Sequence, residues 1–217
     1  MLEDAALAAV GRVETLPAPL VGKAAMLLLE LHGDSADALL EVAAGIEEVA
    51  RRAGGAEAIV ADDVAGQRRL WQVRRKVGEA VKGISPYKEA DTVVPRSKLV
   101  DLVVAARAAA GRQGLTAICY GHAGDGNLHV NLLRGDLPDS LWRERRDAAE
   151  EELFRAVRAL GGQITGEHGI GWVQRRYLPL ALGAAEIEVS RAIKAAFDPF
   201  GILNPGKIFP DLTRTTP

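Results

Sequence analysis

The 217-residue chain is 48% hydrophobic and 26% charged, which provides enough apolar sequence for one well-filled core. A net charge of −2 gives no electrostatic basis for binding nucleic acid or an anionic membrane. The lone Cys119 excludes an intramolecular disulfide framework, and no stretch approaches the roughly 20 apolar residues of a membrane span. We therefore expect a single domain over residues 1–217 in a reducing compartment, the cytoplasm, with Cys119 as a packed core thiol.

The first part of the sequence predicts helices separated by short apolar runs. A short helix covers residues 2–10, and Asp34 or Ser35 is a suitable N-cap for a longer helix that ends near Arg52. The remaining elements predicted here are a doubly buried strand over 23–32, a short strand over 58–61 and a helix over 64–82.

The second part predicts a β-hairpin among further helices. Its elements are a strand over 92–95, a helix over 98–112, hairpin strands over 115–120 and 128–133, and helices over 140–160 and 184–197. Strands interleaved with helices, together with one antiparallel hairpin, predict an α+β fold with helices packed mainly on one face of a largely antiparallel sheet.

The hairpin carries two histidines at a glycine-rich turn. Asp125-Gly126 suits a two-residue type I′ turn, in which both central residues have positive φ. Such a turn places His122 directly opposite His129, with Asn131 on the same face. Each histidine alone is more often an ordinary polar residue. Two that face each other, in a chain with four histidines, favour a site for a divalent metal that prefers imidazole.

A second glycine-rich stretch offers a third ligand. Thr165 to Gly171 contains Glu167 and His168 side by side, and the side chains of adjacent residues diverge. One of the two therefore suits a metal ligand while the other stays free for proton transfer. A polar loop at a helix N-terminus is the plainer interpretation of this stretch taken alone.

Three ordered motifs resemble one family. His-Ala-Gly-Asp-Gly-Asn-Leu-His at 122–129, Thr-Gly-Glu-His-Gly-Ile-Gly at 165–171, and Asp198-Pro199 followed by Asn-Pro-Gly-Lys at 204–207 together resemble the C-terminal domain of FAD-linked oxidases. This family includes glycolate oxidase large subunits, D-lactate dehydrogenases and D-2-hydroxyglutarate dehydrogenases. The resemblance runs from about residue 20 to 210, and it implies a ferredoxin-like domain.

The resemblance assigns the metal and the base. His122, His129 and Glu167 would hold a divalent ion, Zn²⁺ first, with Mn²⁺ or Fe²⁺ as other choices. His168 would be the catalytic base that takes the proton of the substrate hydroxyl, and Asn131 would bind the substrate carboxylate. The implied reaction is oxidation of a D-2-hydroxy acid to a 2-oxo acid, with hydride transfer to FAD.

The resemblance also implies residues outside the hairpin. Arg74, in Trp71-Gln72-Val73-Arg74, and Lys88 match substrate-binding residues of the 2-hydroxyglutarate branch, whereas Gly78 replaces a hydroxyl residue of that branch and argues against 2-hydroxyglutarate itself. Asn204 and Lys207 would contact the flavin. On sequence alone, an amphipathic helix with Trp71 in the core and Arg74 in water is the plainer interpretation.

The implied partners are a small 2-hydroxy acid and a flavin-binding domain or subunit. We expect FAD to be held mainly by that other domain and this chain to be inactive by itself, and an open apolar sheet face allows a homodimer. Two other functions fit parts of the sequence. The metal residues and His168 also suit a flavin-independent hydrolase, and the sheet face suits a non-catalytic module that docks on a flavoprotein.

Overall fold

The computed structural model describes residues 1–55 and 58–209. Within them, the chain has seven α-helices and five β-strands. The helices are α1 (Asp4–Val10), α2 (Ala36–Arg52), α3 (Val64–Ile84), α4 (Leu99–Arg112), α5 (Asp139–Ala159), α6 (Leu178–Ala181) and α7 (Ala184–Phe197). The strands are β1 (Leu2–Glu3), β2 (Ala25–Met26), β3 (Tyr87–Val93), β4 (Thr116–His122) and β5 (Asn127–Leu133). None of the described helices is long and apolar enough to span a membrane.

The chain divides into two compact units, of which the first comprises residues 1–85 and 118–120. In this unit β1 pairs antiparallel with β2 and with β4, so that Leu2 lies opposite both Met26 and Tyr120. Helix α1 packs against α3. Cys119 is buried, which confirms the prediction of a core thiol. Its backbone N–H donates to the Oε1 atom of Glu3 at 2.7 Å.

The second unit comprises residues 86–117 and the described chain from Gly121 onward. Strands β3 and β5 pair antiparallel along their full length, from Tyr87 opposite Leu133 to Val93 opposite Asn127. Helices α4 and α5 pack against each other, α5 contacts β3, and α4 contacts β5. The pairings within both units are antiparallel, and the predicted α+β class is confirmed.

One face of the β3–β5 pair is apolar and lies against helices. Ala90 lies opposite Val130 and Lys88 opposite Leu132, and opposed residues share a face. Ala90, Val130 and Leu132 are fully buried. The Nζ atom of Lys88 lies 2.9 Å from Oε1 of Glu150 on α5, so this is the face that α5 covers.

The other face of the same pair is polar. Glu89 lies opposite Asn131, and Asp91 lies opposite His129. Because side chains alternate along a strand, these four point away from the face that carries Lys88. The polar side chains that concern the site are therefore on the face opposite α5.

Two predicted strands are wrong. Of residues 23–32 only Ala25–Met26 is a strand, and Leu27 and Leu29 are exposed rather than buried. Residues 58–61 form no strand. An apolar run becomes a strand only where a partner strand completes its hydrogen bonds, and these runs have too few such partners.

The longer predicted helices are confirmed, with ends close to those expected. The predicted short helix over 2–10 begins instead with the two residues of β1. Strand β3 spans Tyr87–Val93 and so begins well before the predicted strand over 92–95. This shift matters for the site, because it adds Glu89 and Asp91 to the polar face.

Candidate metal centre

The hairpin loop differs from the predicted two-residue turn. Strand β4 ends at His122 and β5 begins at Asn127, which leaves a four-residue loop. Asp125 and Gly126 donate their backbone N–H groups to carbonyl oxygens three residues earlier, at 3.0 and 3.3 Å. Gly126 has a positive φ of 75° but Asp125 does not, so the type I′ prediction is wrong. The longer loop nevertheless leaves His122 beside His129.

Three predicted ligands converge beside this loop. The rings of His122 and His129 meet edge to face with centroids 5.9 Å apart. The Nε2 atom of His129 lies 3.9 Å from Oε1 of Glu167. One ligating atom from each of the three residues lies within 4.8 Å of the other two. Two imidazole nitrogens and one carboxylate oxygen are a donor set for Zn²⁺, Mn²⁺ or Fe²⁺ that leaves coordination positions open, so the residues fit a divalent ion.

His168 lies next to this triad. Its ring stacks on that of His129, with centroids 5.8 Å apart and planes inclined by 28°. Its Nε2 atom is 3.6 Å from Oε1 of Glu167. His168 is exposed, so its ring is accessible to a small molecule at the triad.

A buried carboxylate, Asp91, holds the loop that carries Glu167 and His168. Its Oδ2 atom accepts the backbone N–H groups of Gly166, Glu167 and His168 at 2.9, 2.7 and 3.0 Å. Its Oδ1 atom accepts the side-chain amide of Asn127 at 2.6 Å. Burial alone would raise the pKa of Asp91, but the hydrogen bonds from Glu167 and Asn127 outweigh it and hold that pKa below its ordinary value.

The sequence did not point to Asp91, because the predicted strand began at Thr92 and left Asp91 outside it. An acidic residue directly before the apolar run Thr-Val-Val was the available signal. Gly166 is needed for the same contact. A Cβ atom there would overlap the Asn127 amide nitrogen and lie 2.9 Å from Oδ1 of Asp91.

His129 also belongs to a second group of ligands, with Glu89 and His168. A neutral imidazole offers one lone pair, on the nitrogen without a proton. The Nδ1 atom of His129 faces Glu89 at 3.8 Å and Asp91 at 3.9 Å. These carboxylates favour a proton on Nδ1 and leave Nε2 as the ligand atom on the side of Glu167.

The protonation state of His129 also suits a ligand. Burial lowers the pKa of His129, and although the carboxylates of Glu89, Asp91 and Glu167 oppose this, the pKa stays below its ordinary value. Its ring is therefore neutral at neutral pH, which is the form that binds a metal.

The structure separates two predicted substrate residues. Asn131 is on the same strand face as His129, and it is fully buried. Lys88 is on the opposite face, where its ammonium pairs with Glu150 and donates to the carbonyl of Glu89 at 2.6 Å. The structure therefore does not bring Lys88 to the histidine cluster.

Arg74 belongs to the first unit, whereas the cluster belongs to the second. Its guanidinium carbon lies 5.8 Å from the centre of the Tyr120 ring. The substrate role of Arg74 stays a prediction.

The Asn-Pro-Gly-Lys turn packs against the segment that follows the Glu-His pair. The backbone N–H of Ile208 donates to the carbonyl of Gly171 at 2.7 Å. Lys207 donates its ammonium to Oδ1 of Asn204 at 3.0 Å, so the two predicted flavin contacts lie together. Both residues are exposed.

The sequence has clear relatives. The family described as FAD linked oxidases, C-terminal domain, matches residues 1–208. D-lactate dehydrogenase of Anaerostipes hadrus is 32% identical over 185 residues, which cover 85% of this chain and 39% of that protein. D-2-hydroxyglutarate dehydrogenase of Stutzerimonas stutzeri is 31% identical over 185 residues, which cover 84% of this chain and 40% of that protein.

A third relative is the glycolate oxidase subunit GlcD of Bacillus subtilis, 40% identical over 141 residues. That match covers 64% of this chain and 30% of the relative. In all three comparisons the aligned part is 40% of the relative or less. The similarity therefore concerns one part of these oxidoreductases.

Proposed function

The chain belongs to the FAD-linked oxidases, C-terminal domain family, and from that premise we propose that it is the metal- and substrate-binding domain of an FAD-dependent D-2-hydroxy acid dehydrogenase. The substrate class is D-lactate or glycolate, in line with the names of its relatives. The observation that carries the proposal is the triad of His122, His129 and Glu167, whose ligating atoms lie within 4.8 Å of one another.

The triad would hold Zn²⁺, and Mn²⁺ or Fe²⁺ would suit the same donors. A bound ion would act as a Lewis acid that lowers the pKa of the substrate's α-hydroxyl group. His122, His129 and Glu167 would supply three donors, the number typical of a catalytic site that keeps room for a substrate oxygen. A 2-hydroxy acid offers two such oxygens, on its hydroxyl and its carboxylate.

His168 would take the hydroxyl proton. Its Nε2 atom lies 3.6 Å from Oε1 of Glu167, so a substrate oxygen bound at the triad would be within reach of the ring. Because His168 is exposed, the accepted proton can pass on to solvent. A well-placed general base accelerates such a step by roughly 10²–10⁴.

A flavin-binding domain or subunit would hold most of the FAD, which would supply the hydride acceptor for oxidation of the hydroxy acid to a 2-oxo acid. Asn204 and Lys207, which lie together on an exposed turn, would contribute contacts to the FAD. Asn131 shares a strand face with His129 but is fully buried, so its hydrogen bond to the substrate carboxylate would require that side chain to become accessible. Lys88 has no part in this proposal, because its ammonium pairs with Glu150 on the face of the strand pair that α5 covers.

Cobalt spectroscopy tests the proposal directly. The chain is loaded with Co²⁺, and its visible d–d bands are followed while glycolate or D-lactate is added. Propionate, which has the carboxylate but no α-hydroxyl, is the matched control ligand. We expect the hydroxy acids to change the bands at concentrations where propionate does not. Identical responses to glycolate and propionate, or no response to either hydroxy acid, would contradict the proposal.

A further inference from the structure

The loop from Gly166 to His168 is organised around a single oxygen atom. Three consecutive backbone N–H groups donate to Oδ2 of Asp91 at 2.7 to 3.0 Å. Asp91 is 2% exposed, so its carboxylate is shielded from water. Charge-assisted hydrogen bonds are stronger in such a shielded position than at an exposed surface. The direction in which the side chains of Glu167 and His168 leave the loop is therefore set by the position of one carboxylate.

The second oxygen of the same carboxylate reaches another strand. Oδ1 of Asp91 accepts the amide of Asn127, the first residue of β5. Asp91 also lies directly opposite His129 in the β3–β5 pairing. One side chain thus joins the strand that carries His129 to the loop that carries Glu167.

The carboxylate also faces both rings. Its oxygens lie 3.9 Å from Nδ1 of His129 and 3.9 Å from Nδ1 of His168. Glu89 adds a second carboxylate on the Nδ1 side of His129, at 3.8 Å, so the negative charge there favours a proton on Nδ1 of that ring. The Nε2 atom of His129 is then the ligand atom, 3.9 Å from Oε1 of Glu167.

We propose that Asp91 is the positioning residue of this centre: it fixes the Glu167–His168 loop against β5 and directs the His129 imidazole toward the ion. The inference rests on the proposed metal site and extends it to a residue that binds neither metal nor substrate. Its charge is essential, because three donors converge on one oxygen and an amide nitrogen in that place would repel them.

Asp91→Asn tests the role of the charge with almost no change in shape. The new amide must turn its NH₂ group either toward the backbone donors of the loop or toward the amide of Asn127. We expect the dissociation constant for Co²⁺ or Zn²⁺ to rise about 10–100-fold, the usual effect of removing an outer carboxylate. The d–d bands of the remaining Co²⁺ complex should also change, because Glu167 no longer has a fixed position.

Amide hydrogen exchange provides a readout without metal. In Asp91→Asn we expect the amides of Gly166, Glu167 and His168 to exchange about 10–100-fold faster, while those of α5 keep their rates. Asn127→Ser removes only the bond to Oδ1 and should give a smaller change in the same direction. This milder variant provides the answer if Asp91→Asn does not fold.

Asp147→Asn is the matched control. Asp147 is a half-buried carboxylate of the second unit that likewise accepts several hydrogen bonds, but its partners are Arg146 and Arg176. We expect this variant to bind Co²⁺ like the native chain and to keep the same d–d bands.

The outcomes separate the two proposals. If the native chain binds no ion, the proposed metal site fails, and the exchange rates of the loop still decide whether Asp91 holds it. If the native chain binds Co²⁺ and Asp91→Asn binds it with unchanged affinity, bands and loop exchange, the positioning role is overturned while the metal site stands. Equal effects of Asp91→Asn and Asp147→Asn on Co²⁺ binding would also overturn it.

Discussion

The Nε2 atom of His129 lies 3.9 Å from Oε1 of Glu167, although His129 is on a buried strand and Glu167 is on an exposed loop. The strand residue is fixed by the sheet, whereas the loop residue is fixed by hydrogen bonds from its backbone to Asp91. The two ligands therefore have different structural supports, and variants can disturb them separately.

Removal of the base should separate turnover from metal binding. His168 is outside the triad of His122, His129 and Glu167, so His168→Ala should keep the ion. We expect the rate of flavin reduction by D-lactate, in the flavin-containing protein, to fall about 10²–10⁴-fold. The rate and the metal content are measured on the same preparation. A variant that loses its ion along with its activity would show that His168 is a ligand.

Lys88 should matter for stability and not for the site. Its ammonium lies 2.9 Å from the carboxylate of Glu150, whose side chain is 2% exposed. Lys88→Met leaves that carboxylate with the Tyr177 hydroxyl at 3.2 Å and the Arg176 guanidinium at 3.6 Å. We expect a loss of about 3 kcal/mol in the free energy of unfolding, at the low end for a broken buried ion pair.

The double variant Lys88→Met/Glu150→Met provides the control for that prediction. It removes both charges and should recover much of the lost stability in urea denaturation. Zn²⁺ binding should stay at the native level in both variants, because Lys88 and His129 point to different faces of the β3–β5 pair. If Lys88→Met is fully folded and still binds Zn²⁺ more weakly than the native chain, Lys88 does contribute to the metal site and this prediction is wrong.

Gly166 and Gly124 form a matched pair for testing the fit of the loop. A Cβ atom at Gly166 would overlap the amide of Asn127, whereas one at Gly124 would meet no atom within 4 Å. Neither glycine has a positive φ. We expect Gly166→Ala to lose about 1–3 kcal/mol of stability and to bind Zn²⁺ more weakly, while Gly124→Ala changes neither. Thermal melts and zinc titrations of the two variants provide the comparison.

Asp147 should contribute stability that disappears in acid. Burial would raise the pKa of Asp147, but hydrogen bonds from Arg176 and Arg146 outweigh this and lower it. A carboxyl whose folded pKa is below its unfolded value of about 3.9 stabilises the fold above that pH and loses the contribution as pH falls through the folded pKa.

The native chain should therefore exceed Asp147→Asn in unfolding free energy at pH 7, and the difference should shrink below about pH 4. Urea denaturation at several pH values measures it. A difference that grows on acidification would contradict the sign of the shift.

Elements with a regular spacing of apolar residues were predicted correctly from the sequence. The helices from α2 to α5 and α7 follow apolar spacing, and the convergence of His122 and His129 follows from a hairpin whose exact turn was predicted wrongly. A change in loop length of two residues leaves side-chain parity unchanged, so both rings stay on one face.

Contacts between distant segments could not be predicted in the same way. Asp91 accepts hydrogen bonds from the backbone N–H groups of residues 166–168. Every residue except proline has such a group, so these partners cannot be identified from residue types. The orientation of Lys88 depends on its place in a strand, and the predicted strand over 92–95 did not include that residue. An apolar run such as residues 23–32 does not reveal whether a partner strand is present to pair with it.

The metal content of the purified chain tests the proposed site of His122, His129 and Glu167 without any other component. The purified chain, supplied with Zn²⁺ and freed of excess, is compared by elemental analysis with His122→Ala/His129→Ala and with His32→Ala. His32 is the one histidine outside the three motifs, and it is exposed. We predict about one ion per chain in the native protein and in His32→Ala, and none in the double variant. An ion retained by the double variant, or none bound by the native chain, would show that His122 and His129 do not form a metal site.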